Sequence, residues 1–347
     1  AVTIHRLLEA GIDPETGRMA FVRNGGNPLK LGALIVDEMS MVDLLLMQSL
    51  LEALPLACRL VLVGDPDQLP SVGAGNVFSD LLRSGVVCTA RLTEIYRQAR
   101  QSLIVMNAHA VNEGRLPELG AKDRDFFFLR RLDSERLVKT VQDLCVRRLP
   151  QNLGIDPKNI QVLSPTRKGP TGTYELNCQL QAVLNPPQET KKEKKYGAFC
   201  FREGDRVMQI RNNYDILWTK EGEAQVGAGI FNGDIGTIQE ISFRDECMRI
   251  AFDDRLAEYS FTLLQDLELA YAMTVHKSQG SEYQAVILSV LQGSKYLLSR
   301  NVLYTALTRA RQLLILIGSE EVVAQMTANN VQQRRYSGLK LRLQKEE

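Results

Sequence analysis

Five short runs of apolar residues, each ending abruptly in polar ones, punctuate the chain. Leu31 to Val36 stops at Asp37-Glu38, Leu60 to Val63 at Gly64-Asp65, and Ile160 to Leu163 at Ser164-Pro165-Thr166-Arg167; Ala285 to Leu291 and Leu313 to Ile317 complete the set. Runs this short and apolar throughout suit parallel strands buried on both faces. Helical patterns lie between them. Ser40 and Asp43 predict a capping box that opens a helix from Met41 to about Leu54, with Gln48, Ser49 and Glu52 on its wet side. Thr305 to Gln312 reads as a helix leading into the Leu313 run. Alternating strands and helices predict an α/β architecture, in which ligands sit at the carboxyl ends of strands.

Two segments break the alternation. Residues 12–30 carry the strand-like Arg18 to Arg23 followed by Asn24-Gly25-Gly26-Asn27, which predicts a β-hairpin. Residues 187–262 begin after Pro186 with a charge run, Lys191 to Lys195. They continue through Arg202-Glu203-Gly204-Asp205 and Asn232-Gly233-Asp234, and Met248, Ile250 and Phe252 then alternate with other residues. Turn dipeptides between short alternating runs predict a small antiparallel barrel. Residues 111–155 read as a helical connector, and 336–347 as a tail.

Composition bounds this picture. The chain has 347 residues, enough for two to three domains, with 42 basic against 41 acidic side chains and a net charge of +1. A nucleic-acid partner must therefore be met by a local patch. No apolar run approaches the roughly 18 residues of a membrane span, and no signal-peptide pattern opens the chain, so no membrane partner and a cytoplasmic location are expected. Six scattered cysteines without a C-x-x-C pair, and three histidines, predict a reduced protein without a metal cluster. The chain starts at Ala1 and runs at once into an ordered-looking segment, which suggests a fragment or a processed chain.

The chemistry concentrates at two strand ends. Leu34-Ile35-Val36-Asp37-Glu38 places two carboxylates at the edge of a sheet. In phosphate-hydrolysing motors such an Asp holds Mg²⁺ and such a Glu polarises the attacking water; the plainer alternative is a strand end whose acids cap the next helix. Some thirty residues on, Gly64-Asp65-Pro66-Asp67-Gln68 makes a tight turn after a second strand. Gln68, long and uncharged, suits contact with a phosphate. Gly73, Ala74 and Gly75 permit close backbone approach.

Together these two stretches resemble motifs II and III of superfamily 1 helicases, and further motifs follow in that family's order. Glu94-Ile95-Tyr96-Arg97-Gln98 resembles the arginine-bearing motif closing the first motor domain, and Val162 to Pro170 a DNA-facing loop of the second. Ala272-Met273-Thr274-Val275-His276-Lys277-Ser278-Gln279-Gly280-Ser281-Glu282-Tyr283 resembles motif V, and Val302 to Ala310 motif VI. The wording is most similar to the RecD-like branch of 5′-to-3′ helicases, over residues 1 to about 320. The resemblance implies an α/β fold of two RecA-like parallel-sheet motor domains, the first incomplete. Residues 1–110 would form motor domain 1A, carrying the 12–30 hairpin as a duplex-splitting pin. Residues 156–186 with 263–335 would form motor domain 2A, and 187–262 an SH3-like barrel.

The resemblance also implies roles. Asp37 would hold Mg²⁺, Glu38 would be the catalytic base and Gln68 would sense the γ-phosphate of ATP, with Gly64 and Asp65 beside it. Arg97 and Arg309 would reach that phosphate from the two motor domains. Gly280 and Glu282 would lie near the nucleotide, Glu282 as a ribose contact, while Arg311 reads as structural. Thr3, His5, Pro70, Ser71, Thr166, Arg167, Thr274 and His276 would follow single-stranded DNA. Hydroxyls, amides and a few cations suffice for a phosphate backbone. For the arginines the alternative is an interface ion pair, and for the histidines a satisfied loop position. Lys191 to Lys195 reads as a solvated loop, and Trp218 as core rather than a base-stacking platform.

One departure stands out: no G-x-x-x-x-G-K-[ST] occurs in the sequence. That loop supplies the amides and lysine that cradle phosphates, so the chain is expected to bind ATP weakly and hydrolyse it negligibly alone. The expected function of the intact protein is ATP-driven 5′-to-3′ movement on single-stranded DNA and strand separation at duplex junctions in recombination or repair. Recombination-complex subunits are candidate partners. A non-motor scaffold or DNA-binding subunit is the runner-up, and a nuclease a third class with no clear acidic cluster of its own.

Overall fold

The computed structural model describes residues 1–12, 19–94, 99–121, 124–197, 199–220, 226–330 and 337–345. They pack as two units, residues 1–99 with 331–347, and residues 100–330.

The first unit opens with helix α1 (Ile4–Leu7), capped by Thr3, whose hydroxyl accepts the Arg6 amide at 3.2 Å. Strands β1 (Ala10–Ile12) and β2 (Met19–Phe21) pair antiparallel, Ala10 opposite Phe21. The hairpin therefore begins before residue 12, and Asn24 to Asn27 is not its turn. The Asn24 side-chain oxygen accepts the Gly26 and Asn27 amides at 2.9 and 3.2 Å, closing a separate turn after β2.

Strands β3 (Ala33–Val36) and β4 (Arg59–Leu62) pair parallel, with helix α2 (Leu44–Ala53) crossing between them and helix α3 (Val77–Ser84) following. One side packs on a core that includes Leu8, Val36, Met39, Leu50 and Phe78. The other side is open: Ile35 is 69% and Val61 49% exposed. Helix α2 starts at Leu44, not Met41, and Asp43 alone caps it, accepting the Leu46 amide at 2.8 Å. The Met39 amide is bound to the Val63 carbonyl at 3.0 Å, so the chain is still tied to its neighbour strand there and forms only a 3₁₀ turn around the buried Ser40. The segment expected as a tail is packed. Its helix, Leu339–Leu343, lies against α3, with Ser337 Oγ donating to Asp80 at 2.6 Å and Gln344 to the Ser84 carbonyl at 3.2 Å.

The second unit runs through α4 (Leu103–Asn112), β5 (Phe126–Arg130), α5 (Ser134–Asp143), α6 (Leu149–Leu153), β6 (Ile160–Ser164) and α7 (Thr173–Leu184). It then turns to strands: β7 (Glu193–Tyr196), β8 (Phe199–Arg202), β9 (Arg206–Gln209), β10 (Asn213–Lys220), β11 (Val226–Ile230), β12 (Ile235–Ser242), β13 (Cys247–Phe252), β14 (Arg255–Ser260) and β15 (Leu267–Leu269). It finishes with β16 (Ala272–Thr274), β17 (Tyr283–Val290), α8 (Arg300–Leu307), β18 (Ala310–Gly318) and α9 (Glu320–Ala328).

Two sheets organise this unit. A wholly parallel sheet has the order β16-β6-β17-β18-β5. Strand β5 lies inside the segment expected as a helical connector. Its run Phe126 to Leu129 is too short for periodicity to separate strand from buried helix. Helix α4 also belongs to this unit, because Asp125 at the head of β5 accepts the Leu103 amide at 2.8 Å and the Ser102 hydroxyl at 2.5 Å. Helix α8 ends at Leu307, and residues 310–312 join the strand rather than the helix.

An antiparallel sheet of order β11-β10-β14-β13-β12-β9-β15 fills the predicted barrel region, and β7-β8 form a separate hairpin. The sheet extends past residue 262, since β15 pairs with β9. A single hydrophobic core joins both sheets, including Ile160, Leu176, Phe201, Ile238, Tyr259 and Ile317. At their junction the buried Asp205 carboxylate accepts four donors: Gln181 Nε2 at 2.6 Å, Asn185 Nδ2 and the Arg202 amide at 2.7 Å, and Tyr271 OH at 2.9 Å. Burial pushes its pKa up, and these donors oppose that shift. Trp218 is partly buried and packs against that core. Its ring fills the space over Gly227 on the next strand, where a Cβ would overlap it.

Candidate functional site

In the first unit the candidate chemistry sits at the carboxyl ends of β3 and β4. Val63 N donates to the Val36 carbonyl at 2.8 Å, so the two strand ends stay paired up to Asp37 and Gly64. A Cβ on Gly64 would stand 3.0 Å from Met39 N and 3.1 Å from Met39 Cβ. A side chain on Gly64 would crowd the residue after Glu38 and push the second turn away by a few tenths of an ångström. Asp37 is exposed and its Oδ1 accepts the Glu38 amide at 2.8 Å. Glu38 is half-buried and left-handed, with φ 54°. A non-glycine residue in that region costs about 1–3 kcal/mol and is retained where the surroundings enforce it, commonly at functional sites.

The second turn is ordered by Asp65. Its Oδ1 accepts the Asp67 amide at 2.9 Å, and Gln68 Nε2 approaches Oδ2 at 3.5 Å. Asp65 therefore orders the turn backbone and lies within reach of the Gln68 amide. A Cβ on Gly73 would overlap the Asp43 carboxyl, so this glycine allows the loop to lie on the α2 cap, where Leu44 N also bonds the Ala74 carbonyl at 2.9 Å. Ser71, expected to face DNA, is buried beside Leu69. The apolar Leu69 draws that part of the loop inward, and Pro70 is left half-buried.

Thr3 is exposed and spends its hydroxyl on the α1 cap. His5 is half-buried with its ring 5.8 Å from that of Phe21. Burial lowers its pKa, and Asp43 partly opposes this. Arg97 lies outside the described residues.

In the second unit two predicted stretches meet at the carboxyl ends of β6 and β16, and the 280–283 turn meets Arg309 at the starts of β17 and β18. Thr166 is half-buried, with its amide on Ser164 Oγ at 3.2 Å. Arg167 beside it is exposed, and its Nη2 meets Glu268 Oε1 at 2.5 Å. Thr274 caps the next turn, accepting the Lys277 amide at 3.4 Å, and Lys277 Nζ meets the other Glu268 oxygen at 2.7 Å. His276 is half-buried, and burial lowers its pKa. Lys277 and Glu268 carried no role in the sequence reading. A single acid inside Leu267-Glu268-Leu269 was the available signal.

Arg309 is 4% exposed. Its Nε donates to the Thr305 carbonyl, Nη1 to the Ser281 carbonyl and Nη2 to Thr308 Oγ1, each at 3.1 Å. The Tyr283 amide returns a bond to the Arg309 carbonyl at 2.8 Å. The 280–282 turn and Arg309 are thus assembled together, with Gly280 left-handed at φ 74°. These oxygens are all neutral. Glu282 is exposed and pairs with the exposed Arg311 at 2.8 Å.

The donor chemistry fits a nucleotide-borne Mg²⁺. Hard oxygen ligands suit it, and Mg²⁺ is commonly held by one or two carboxylates plus substrate phosphates rather than by a protein cage. Asp37 offers one exposed carboxylate at a strand end, and among the described residues no cluster of three or more His, Cys, Asp or Glu could hold a metal. No helix among them is long and apolar enough to cross a membrane.

Three known domain families match successive parts of the chain. An AAA domain family matches residues 1–127, the SH3 domain of ATP-dependent RecD-like DNA helicases matches 176–252, and a UvrD-like helicase C-terminal domain matches 269–317. The chain is 37% identical over 319 residues to the ATP-dependent RecD2 DNA helicase of Deinococcus radiodurans, covering 92% of this chain and 40% of that protein. It is 32% identical over 355 residues to the RecBCD enzyme subunit RecD of Mycolicibacterium smegmatis, covering 99% of this chain and 59% of the relative. The chain thus spans about half the length of these relatives. The fold is similar to that of a Pif1 helicase from Bacteroides solved with ADP-AlF3 and single-stranded DNA. The TM-score is 0.51 at 18% identity, over 94% of this chain and 80% of that one.

Proposed function

As the chain belongs to the RecD-like DNA helicase family, we propose that it supplies the metal-and-base side and the phosphate-sensing arginine of an ATP-driven single-stranded-DNA translocase. The observation that carries this is the strand-end pair Asp37-Glu38. It lies next to the close Gly64–Met39 approach, with Glu38 held left-handed, and on the neighbouring strand end Gln68 Nε2 lies 3.5 Å from Asp65. Asp37 would hold Mg²⁺, which when bound neutralises the charge of the phosphates. Glu38 accepts the proton of the attacking water and Gln68 orients it. Arg309 delivers positive charge to the γ-phosphate. A buried guanidinium bonded by neutral oxygens, as Arg309 is among the described residues, gains most from acquiring an anion. Arg97 is proposed for the same phosphate.

Thr3, His5, Pro70, Thr166, Arg167, Thr274 and His276 are proposed to follow the DNA backbone, with movement 5′ to 3′, strand separation at junctions, and a place in recombination or repair in the cytoplasm beside other subunits. A strand-displacement assay showing 3′-to-5′ unwinding would overturn the polarity. The chain alone is proposed to be deficient in ATP hydrolysis. It carries no phosphate-cradling loop, and the open face of β3 and β4, with Ile35 and Val61 exposed, suits a further strand and helix of a longer polypeptide.

The reading is tested by Arg309→Ala in that longer polypeptide. Turnover should fall by about 10³–10⁵-fold while affinity for single-stranded DNA is retained. Loss of both would mark Arg309 as structural.

A further inference from the structure

Arg167, on the proposed DNA track, and Lys277, next to His276 of that track, share one counter-charge. Arg167 leaves the end of β6 and Lys277 leaves the end of β16, and these strands are parallel neighbours with Ser164 opposite Thr274. Both side chains converge on Glu268, one on each carboxylate oxygen, at 2.5 and 2.7 Å. The three side chains grade from outside inward: Arg167 is 63% exposed, Lys277 30% and Glu268 17%. The carboxylate thus lies under its cations, and both cations still reach water. Glu268 is delivered by β15, which pairs with β9 of the antiparallel sheet and places it opposite Met208. The inserted sheet therefore supplies the counter-charge to the motor sheet's basic edge.

We infer that Glu268 is a positioning residue that competes with the phosphates of single-stranded nucleic acid for Arg167 and Lys277. It holds the two cations side by side, and a backbone phosphate binds by displacing it. This inference rests on the reading that the 166–167 and 274–277 loops face DNA. Two properties follow. The exchange of one anion for another keeps each contact weak, as a strand that must be released repeatedly requires. The cations also stay ordered when no phosphate is present, which lowers the entropy cost of the next capture.

The test is binding of a labelled oligo(dT) to the whole chain by fluorescence anisotropy across a salt series, for wild type, Glu268→Gln, Glu268→Asp, Arg167→Ala and Lys277→Ala. Glu268→Gln should tighten binding by about three- to tenfold, the worth of two partly exposed ion pairs. It should also steepen the salt dependence by about 0.7 in log–log slope for each cation freed. Glu268→Asp, which withdraws the charge without removing it, should move affinity the same way by less. Arg167→Ala and Lys277→Ala should each weaken binding. If those two weaken binding but both Glu268 variants bind no tighter than wild type, Glu268 is merely structural and the inference falls while the DNA-facing reading stands. If neither cation variant changes binding, the DNA-facing reading itself falls. A salt slope unchanged in Glu268→Gln would equally overturn the competition.

Discussion

The two parallel sheets of this molecule are built from similar sequence and end in different environments. In the second unit β6 is buried at every position and β17 at all but its first two. In the first unit β3 and β4, as apolar in sequence, leave Ile35 and Val61 open. A parallel sheet is ordinarily covered on both faces, so the same code is satisfied in one region and half-satisfied in the other. Apolar continuity reports the environment a strand is suited to, and β3 and β4 meet it on one face only.

Mutations can break that comparison. Leu288→Ala, in the middle of β17, should cost about 2–5 kcal/mol in denaturant unfolding of the second unit. Its counterpart Val61→Ala should stay within about 0.5 kcal/mol. Equal losses would mean that the first sheet is as covered as the second. Asp205→Ala comes next. It leaves the donors of Gln181, Asn185 and Tyr271 unsatisfied where the two sheets meet, and about 1–3 kcal/mol should be lost in thermal melting. Asp43→Ala removes the sole side-chain cap of α2, and circular dichroism melting should register about 1 kcal/mol from the first unit.

The smallest effect is set by pH. His276 has its pKa lowered from 6.5 by burial, so the unfolded chain binds more protons than the folded one below that value. Stability should be full above pH 6.5 and fall as pH drops toward the depressed folded value. Replacing His276 by Gln should flatten that limb of the stability-against-pH curve; an unchanged limb would assign it to another group.

The strands of both sheets were largely legible because five apolar runs ended in polar turns. Strand β5 was not, because Phe126 to Leu129 is too short to show a period and depends on β18 for its identity. The helix start at Met41 was misplaced because capping chemistry is local, while the bond from Met39 N to Val63 O is not. That Asp37-Glu38 and Gly64 stand at strand ends was legible from the apolar runs before them, whereas the approach of Gly64 to Met39 depends on the pairing of β3 with β4. The burial of Ser71 depends on how its loop folds inward. The pairing of Glu282 with Arg311, and of Glu268 with Arg167 and Lys277, depends on side chains distant in sequence. No local pattern could announce them.

The most direct test is single-stranded-DNA-stimulated ATP hydrolysis by this purified chain beside its Glu38→Gln variant. The expected result is no turnover above that variant, with hydrolysis appearing only when a phosphate-cradling segment is supplied in a longer polypeptide. Turnover near about 10 s⁻¹, ordinary for an enzyme, that vanishes in Glu38→Gln would contradict it.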